Sequence, residues 1–302
     1  MSKDRKVCVD YFSVIEEKGT FCQILKDIEA ITDKENRNYY TDDTPVRLDE
    51  IHKVSLSKVN TIEGDLIKIR MDNIPMRASV KGSKKTLGLN DDEGLGEETA
   101  FLYAPEHNVV IIQRNRWGTT PRKFETYFNH FGTRSNSMIT LEPMICRDTI
   151  EKMESANSYR KLIVKVQPFK SAEMLKECGA AVGHAIDAMK DVGGEKIEIC
   201  VSLTRVKEKT LNMKNIQKMV KNLLKFNEDS QGNGVQKLQM AADMEDVGIE
   251  PIDFLKDRLQ YADEIECDNH RQISYTSRRN LLRRAWACKE FQDLLSFRQE
   301  SS

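Results

Sequence analysis

Apolar residues recur along this chain in two periods, every second residue in some stretches and every third or fourth in others, and the switches between the two delimit its elements. Val7, Val9 and Tyr11 alternate with polar neighbours, which predicts an opening strand from Val7 to Val14. After Gly19 the period changes: Phe21, Ile24, Leu25, Ile28 and Ile31 mark the apolar face of a helix from Thr20 to Ile31. A polar loop is expected from Asp33 to Pro45, then a strand from Gly64 to Met71 in which Ile67, Ile69 and Met71 alternate with Lys68 and Arg70. Residues 81–98, rich in glycine and charge, read as a loop. Two paired strands follow, Thr99 to Tyr103 and Asn108 to Arg114.

Thr120-Pro121 is a helix start, because a threonine side chain can accept from an unpaired first-turn amide and proline lacks an amide hydrogen that would go unpaired there. Phe124, Tyr127, Phe128 and Phe131 then fall at helical spacing up to Gly132, an aromatic stripe that reads as core. Met138 to Ile145 reads as a strand, and the polar stretch from Arg147 to Ser158 as a boundary near Ser155. Beyond it the periods switch regularly: strand from Lys161 to Val166, helix from Ser171 to Lys190, strand from Lys196 to Leu203, helix from Met213 to Phe226, strand from Val235 to Ala241. The stretch from Asp253 to Cys267 has no clear period, and Thr276 to Phe297 reads as one final helix. The succession predicts an α+β fold of mixed sheets with packed helices in two lobes: an N-terminal α+β lobe over 1–155 and a C-terminal α/β lobe with a terminal helix over 156–302.

Length agrees, since 302 residues can fill one large core or two modest ones. With 39% hydrophobic and 31% charged residues the composition is globular, neither disordered nor fibrous. Lys plus Arg (47) nearly cancels Asp plus Glu (48), so only local clustering bears on a charged partner. Seven scattered cysteines with no C-x-x-C pair suit free thiols in a reducing compartment. No signal-like or membrane-spanning apolar run is present, and the expected localisation is cytoplasmic.

Positive charge clusters in three places. On the helix from Met213, residues Lys214, Lys218, Lys221 and Lys225 share the face opposite Ile216, Met219, Val220, Leu223 and Leu224. Arg205, Lys207 and Lys209 precede it, so seven cations stand against Glu208 alone, a net charge of +6 from Arg205 to Lys225. Such a face can track a phosphate backbone, each lysine neutralising one charge and releasing counterions; it can equally be a solvated face paired in space with acids of another element. Arg114, Arg116, Arg122, Lys123 and Arg134 surround the Thr-Pro helix start, where free amides favour an anion. Arg271, Arg278, Arg279, Arg283, Arg284 and Lys289 wrap their helix instead of striping it, which suits separate ion pairs better than one track. The acidic run Asp91, Asp92, Glu93, Glu97 and Glu98 offers oxygen ligands of the kind Mg²⁺ takes, or is a solvated loop. The five histidines are isolated, no nucleotide, zinc or hydrolase motif is complete, and the sequence calls for no cofactor.

Asp91-Asp92-Glu93, Leu95-Gly96, Phe101-Leu102, Gly118, Thr120, Phe124 and Glu142-Pro143-Met144 stand in an order and spacing that resemble the RexA-like family, the DNA-binding component of a phage exclusion system. The resemblance is best over 90–145. It continues as the aliphatic strand from Ile197 to Leu203 and the lysine-rich helix after it. It implies a homodimer that binds double-stranded DNA with little sequence preference, acts in anti-phage defence or abortive infection, and has a membrane protein as effector partner. The residues expected to contact DNA are Arg205, Lys207, Lys209, Lys214, Lys218, Lys221 and Lys225, with Arg114, Arg116 and Arg122. Two alternatives from other classes stay open: a metal-dependent nuclease using the acidic loop, and a protein interaction module with no nucleic-acid role.

Overall fold

The computed structural model describes residues 4–16, 20–41, 44–132, 138–166, 183–185, 187–188, 196–203, 210–229, 234–244, 248–268 and 272–300. Over these the chain is α+β, with helices packed on antiparallel ladders. It divides into two compact units, each discontinuous in sequence: Met1–Leu141 with Tyr261–Trp286, and Glu142–Gln260 with Ala287–Ser302. The chain leaves the first unit after Leu141, because the residues just before are tied there. Asn129 Oδ1 accepts from Ile139 N and Glu125 Oε1 from Leu141 N, at 2.7 and 2.5 Å. Ser155, expected at a lobe boundary, therefore lies inside the second unit.

The first unit is built on one long sheet. Its strands are β1 (Arg5–Glu16), β2 (Tyr39–Thr41), β3 (Thr44–Leu56), β4 (Val59–Arg70), β7 (Leu95–Ala104), β8 (Val109–Gln113) and β14 (Gln260–Ile265), in the order β14-β1-β8-β7-β4-β3-β2, with β9 (Ile139–Pro143) also on β1. A separate ribbon, β5 (Arg77–Ser79) with β6 (Gly82–Lys85), lies between β4 and β7 in sequence. Helices α1 (Thr20–Glu29) and α2 (Pro121–Gly132) cover one face. Their Phe21, Ile24, Leu25, Phe124, Tyr127 and Phe128 pack on Phe12, Leu66, Phe101, Tyr103 and Val110 of the sheet. The start of α2 is as the Thr-Pro pair implies, with Thr120 O accepting from Phe124 N at 2.8 Å.

Helix α5 (Tyr275–Trp286) belongs to the same unit and buries Leu281, Leu282 and Ala285. Tyr11 Oη donates to Ala285 O at 2.8 Å, which ties α5 to β1. All five residues of β8 are buried, as expected of a strand covered on both sides. The most buried carboxylates of this unit's ion pairs are met from α5. Glu63 of β4, fully buried, accepts from Arg283 Nε at 2.6 Å and from Arg279 Nε at 2.5 Å. Arg278, with its side chain 3% exposed, donates to Asp65 Oδ2 at 2.5 Å and also to Glu98. Arg284 holds Asp263 at 2.7 Å on the surface. Arg278, Arg279, Arg283 and Arg284 are thus all engaged in ion pairs, with Arg279 and Arg283 sharing Glu63 and not forming separate pairs as the wrapping suggests.

In the second unit, β10 (Ser158–Val166) is flanked by β11 (Ile197–Ser202) and β12 (Val235–Met244), with β13 (Gly248–Asp253) outermost, and these three pairings are antiparallel. Helix α4 (Met213–Asp229) buries Ile216, Val220, Leu223, Leu224 and Phe226 against Leu162, Val164, Leu238 and Met240 of that sheet. The polar stretch from Arg147 is a helix, α3 (Arg147–Ser155), because Thr149 and Met153, four residues apart, give it a narrow buried side. Most of the helix expected from Ser171 to Lys190 lies outside the described residues, though Gly183 to Ala185, Asp187 and Ala188 are helical. The single final helix expected from Thr276 is two. After α5 the chain turns at Ala287, and α6 (Lys289–Glu300) follows in the second unit. At about 100° per residue, the mean direction of Leu281, Leu282 and Ala285 on a continuous helix would lie about 130° from that of the buried Phe291, Leu294 and Leu295, so the two sets would not share one narrow side. Among the described residues no helix is long and apolar enough to cross a membrane.

Arg278→Ala should destabilise the protein by about 3–5 kcal/mol in chemical denaturation at pH 8, because it strands two carboxylates; Arg284→Ala, at an exposed pair, should cost less than about 1 kcal/mol. Asp65 adds a pH dependence. One guanidinium serves two carboxylates, and burial lifts the Asp65 carboxyl to about 7 against the opposing pull of Arg278, with Glu98 pushing the same way as burial. A carboxyl raised above its unfolded value of about 3.9 contributes stability that is full below that value and lost as pH rises through 7. Stability should therefore decline between about pH 4 and 7, and Asp65→Asn should flatten the decline; an equally steep curve in the variant would assign the dependence to another group.

Candidate nucleic-acid interface

Helix α4 presents the lysines as its spacing implies. Asn212 caps it, accepting from Asn215 N at 3.1 Å and, through its carbonyl, from Ile216 N at 3.0 Å. At the other end Asn227 Oδ1 accepts from Val235 N at 3.0 Å, which locks the helix to β12. With one side buried in the sheet, Lys214, Lys218 and Lys221 are exposed and Lys225 is half-buried. Lys214 and Lys225 are separated by about 16 Å along the axis, a run long enough for more than one phosphate. The four are not equivalent. Lys221 Nζ lies 2.6 Å from Glu142 Oε2, while Lys214 and Lys218 have no ion-pair partner among the described residues. Arg205, Lys207 and Lys209 lie outside the described residues.

The first unit has a second basic surface, around the loop between β8 and α2. Asn115 Nδ2 donates to Glu98 O at 2.7 Å, and Thr99 Oγ1 accepts from Thr119 N at 2.9 Å, so the loop is stapled to β7. Gly118 is required here, since a Cβ at that position would collide with Thr99 Oγ1. Held this way, Trp117 stands 54% exposed, with Arg116 and Arg70 placed 5.2 and 5.9 Å from its ring centroid. Lys68 Nζ donates to Trp117 O at 2.8 Å. Burial, and after it the charge of Lys123, hold the Lys68 amine below its ordinary value. Arg122 is exposed on the first turn of α2. Arg114 is engaged by Asp10 of β1 at 3.0 and 2.5 Å, though its side chain remains 47% exposed. Trp117, Arg70 and Lys68 carry no site signal in the sequence. Arg70 and Lys68 look like the outward side of an ordinary strand, and an isolated tryptophan has no period.

The acidic run does not gather into a cluster. Asp91, Asp92 and Glu93 are exposed, Glu97 lies 3.8 Å from Arg70, and Glu98 pairs with Arg278. Among the described residues no group of three or more His, Cys, Asp or Glu is arranged to hold a metal ion.

The chain belongs to DUF6731, a family of unknown function whose model matches residues 2–292, and so reaches into both units. A search of curated proteins gives no match. Membership of this family brings no activity, substrate or partner with it, so function rests on the chemistry of the two basic surfaces.

Those surfaces separate cations that hold the fold from cations that do not. Lys214→Ala with Lys218→Ala should leave the unfolding midpoint unchanged, within about 0.5 kcal/mol, whereas Leu223→Ala on the buried side of α4 should cost about 2–5 kcal/mol. A large loss of stability from the lysine pair would mean that the two serve the fold.

Proposed function

We propose that this protein is a sequence-tolerant double-stranded DNA-binding protein of the cytoplasm that acts as a homodimer in phage exclusion, with a membrane protein as its effector partner. The observation that carries the DNA part is the outer side of α4: Lys214 and Lys218 face solvent one helical turn apart, and no carboxylate among the described residues neutralises them. A helix that needs only solubility usually carries acids at such spacing, because like charges four residues apart destabilise it by a few tenths of a kcal/mol. A phosphate backbone removes that penalty, and it imposes no sequence preference because every nucleotide offers the same charge. Arg116 beside the ring of Trp117, and Arg122 exposed on the first turn of α2, offer contacts of the same chemistry in the first unit. Two copies would double the contacts and raise avidity without new chemistry. The phage-exclusion role and the membrane partner come from the resemblance to RexA-like proteins in the segment from Asp91 to Met144. Cys8, Cys22, Cys146, Cys200, Cys267 and Cys288 are free, which suits a reducing compartment.

The test is binding of the full chain to duplexes of unrelated sequence across a salt series. Lys214→Glu with Lys218→Glu should weaken all duplexes alike and reduce the slope of log affinity against log salt by roughly 2, about 0.9 for each phosphate that is no longer neutralised. Lys221 is left intact so that its ion pair with Glu142 is undisturbed. Affinity and slope unchanged in the double variant would remove α4 from the interface, and no binding by the intact protein at low salt would end the reading.

A further inference from the structure

From Pro75 to Glu93 every residue of the first unit is exposed, and within this stretch β5 and β6 pair only with each other among the described residues. The ribbon adds nothing to either hydrophobic core. Its chemistry is one-sided: between Asp72 and Asp91 the charged residues are Arg77, Lys81, Lys84 and Lys85, with no acid among them. The strand register places Arg77 directly across from Lys85, a like-charge pair that works against the hairpin forming. Two strands alone are marginal in water in any case. At the tip Val80 is completely exposed, its relative accessibility 104%. An element with no core of its own, with opposed cations and a bare apolar tip, is matched to an external polyanion.

The root of the ribbon is fixed. The last β4–β7 pair is Arg70 with Leu95, and Gly94 passes so close that a Cβ there would come within 2.5 Å of Arg70 O. Arg70 also reaches the ring of Trp117, so the cations around Trp117 adjoin the base of the ribbon within one unit. Acids occur only at the root: Asp72, Asp91, Asp92 and Glu93 flank it, and Glu97 sits against Arg70.

We infer that the β5–β6 ribbon is an arm that enters a groove of double-stranded DNA, with Arg77, Lys81, Lys84 and Lys85 on the phosphates at the groove walls and Val80 against the groove floor. A two-stranded ribbon has the width of the major groove, and an apolar tip makes contacts that need no base-specific hydrogen bond. This inference rests on the proposed binding of duplex DNA and adds to it a second contact surface and a mode of entry. A lipid surface fits less well, because the apolar side chains of the stretch, Val80 with the partly exposed Met76, Leu87 and Leu89, are few, and the tip beside Val80 is cationic.

The experiment uses the full chain and duplexes of about 30 base pairs. One variant carries Lys81→Ala, Lys84→Ala and Lys85→Ala, a second carries Val80→Asp, and a third places a photo-crosslinking amino acid at position 80. Because the arm is outside both cores, all should unfold at the wild-type midpoint, which is checked first. The triple variant is expected to bind about tenfold or more weaker, with the salt slope reduced by roughly 3, and position 80 is expected to crosslink to DNA. If the intact protein binds duplex and the variants bind equally well without a crosslink, the arm inference falls while the reading of α4 stands. If the intact protein binds no duplex, both fall, and binding of the intact protein but not the triple variant to vesicles of anionic lipid would then assign the arm to a membrane surface instead.

Discussion

The first unit depends on charge neutralisation between α5 and the sheet. Glu63 and Asp65 lie on the side of β4 that faces α5 and are almost wholly out of water, a position carboxylates occupy only when compensated. Arg278, Arg279 and Arg283 provide that compensation from successive turns of one helix, and Glu98 on β7 shares Arg278. Hydrophobic contact through Leu281, Leu282 and Ala285 holds α5 to the sheet, but the ion pairs fix its register. Sliding the helix by one residue would put Leu282 or Asn280 where one of the two arginines now meets Glu63. This is why the arginines of α5 belong to the fold.

How much of this was legible followed from whether the physics was local. The Thr120-Pro121 start, the aromatic stripe of α2 and the amphipathic α4 are properties of a few neighbouring residues, and the structure has them. The hairpin of β3 and β4 was only half visible. Its two-residue turn is Ser57-Lys58, both with positive φ (49° and 70°), where glycine or asparagine is the usual signal. The ribbon at Arg77 to Lys85 has no buried side at all, so no alternation betrays it. The break between α5 and α6 contains neither glycine nor proline. It follows from which cores the two halves reach, and that is a property of the tertiary structure.

The basic residues show the same limit. Spacing on a helix identified a lysine face correctly as a face, but it was silent on which members have partners. Lys221 meets Glu142 from 79 residues away, and Arg114 meets Asp10 from 104. Trp117 acquires meaning only when Arg70, from a strand nearly fifty residues earlier, is seen beside its ring. Surface chemistry that depends on long-range neighbours is invisible to a window of eighteen residues.

The ion pairs of α5 also impose an order on biosynthesis. Asp65 and Arg278 are 213 residues apart, and at roughly 5–20 residues per second the ribosome needs on the order of 10–40 s to supply the second after the first. During that interval the nascent sheet holds Glu63 and Asp65 without their arginines and a face without its helix. The first unit begun is thus unable to finish until Arg278 and the rest of α5 have emerged, and until then the β4–β7 surface stays uncovered.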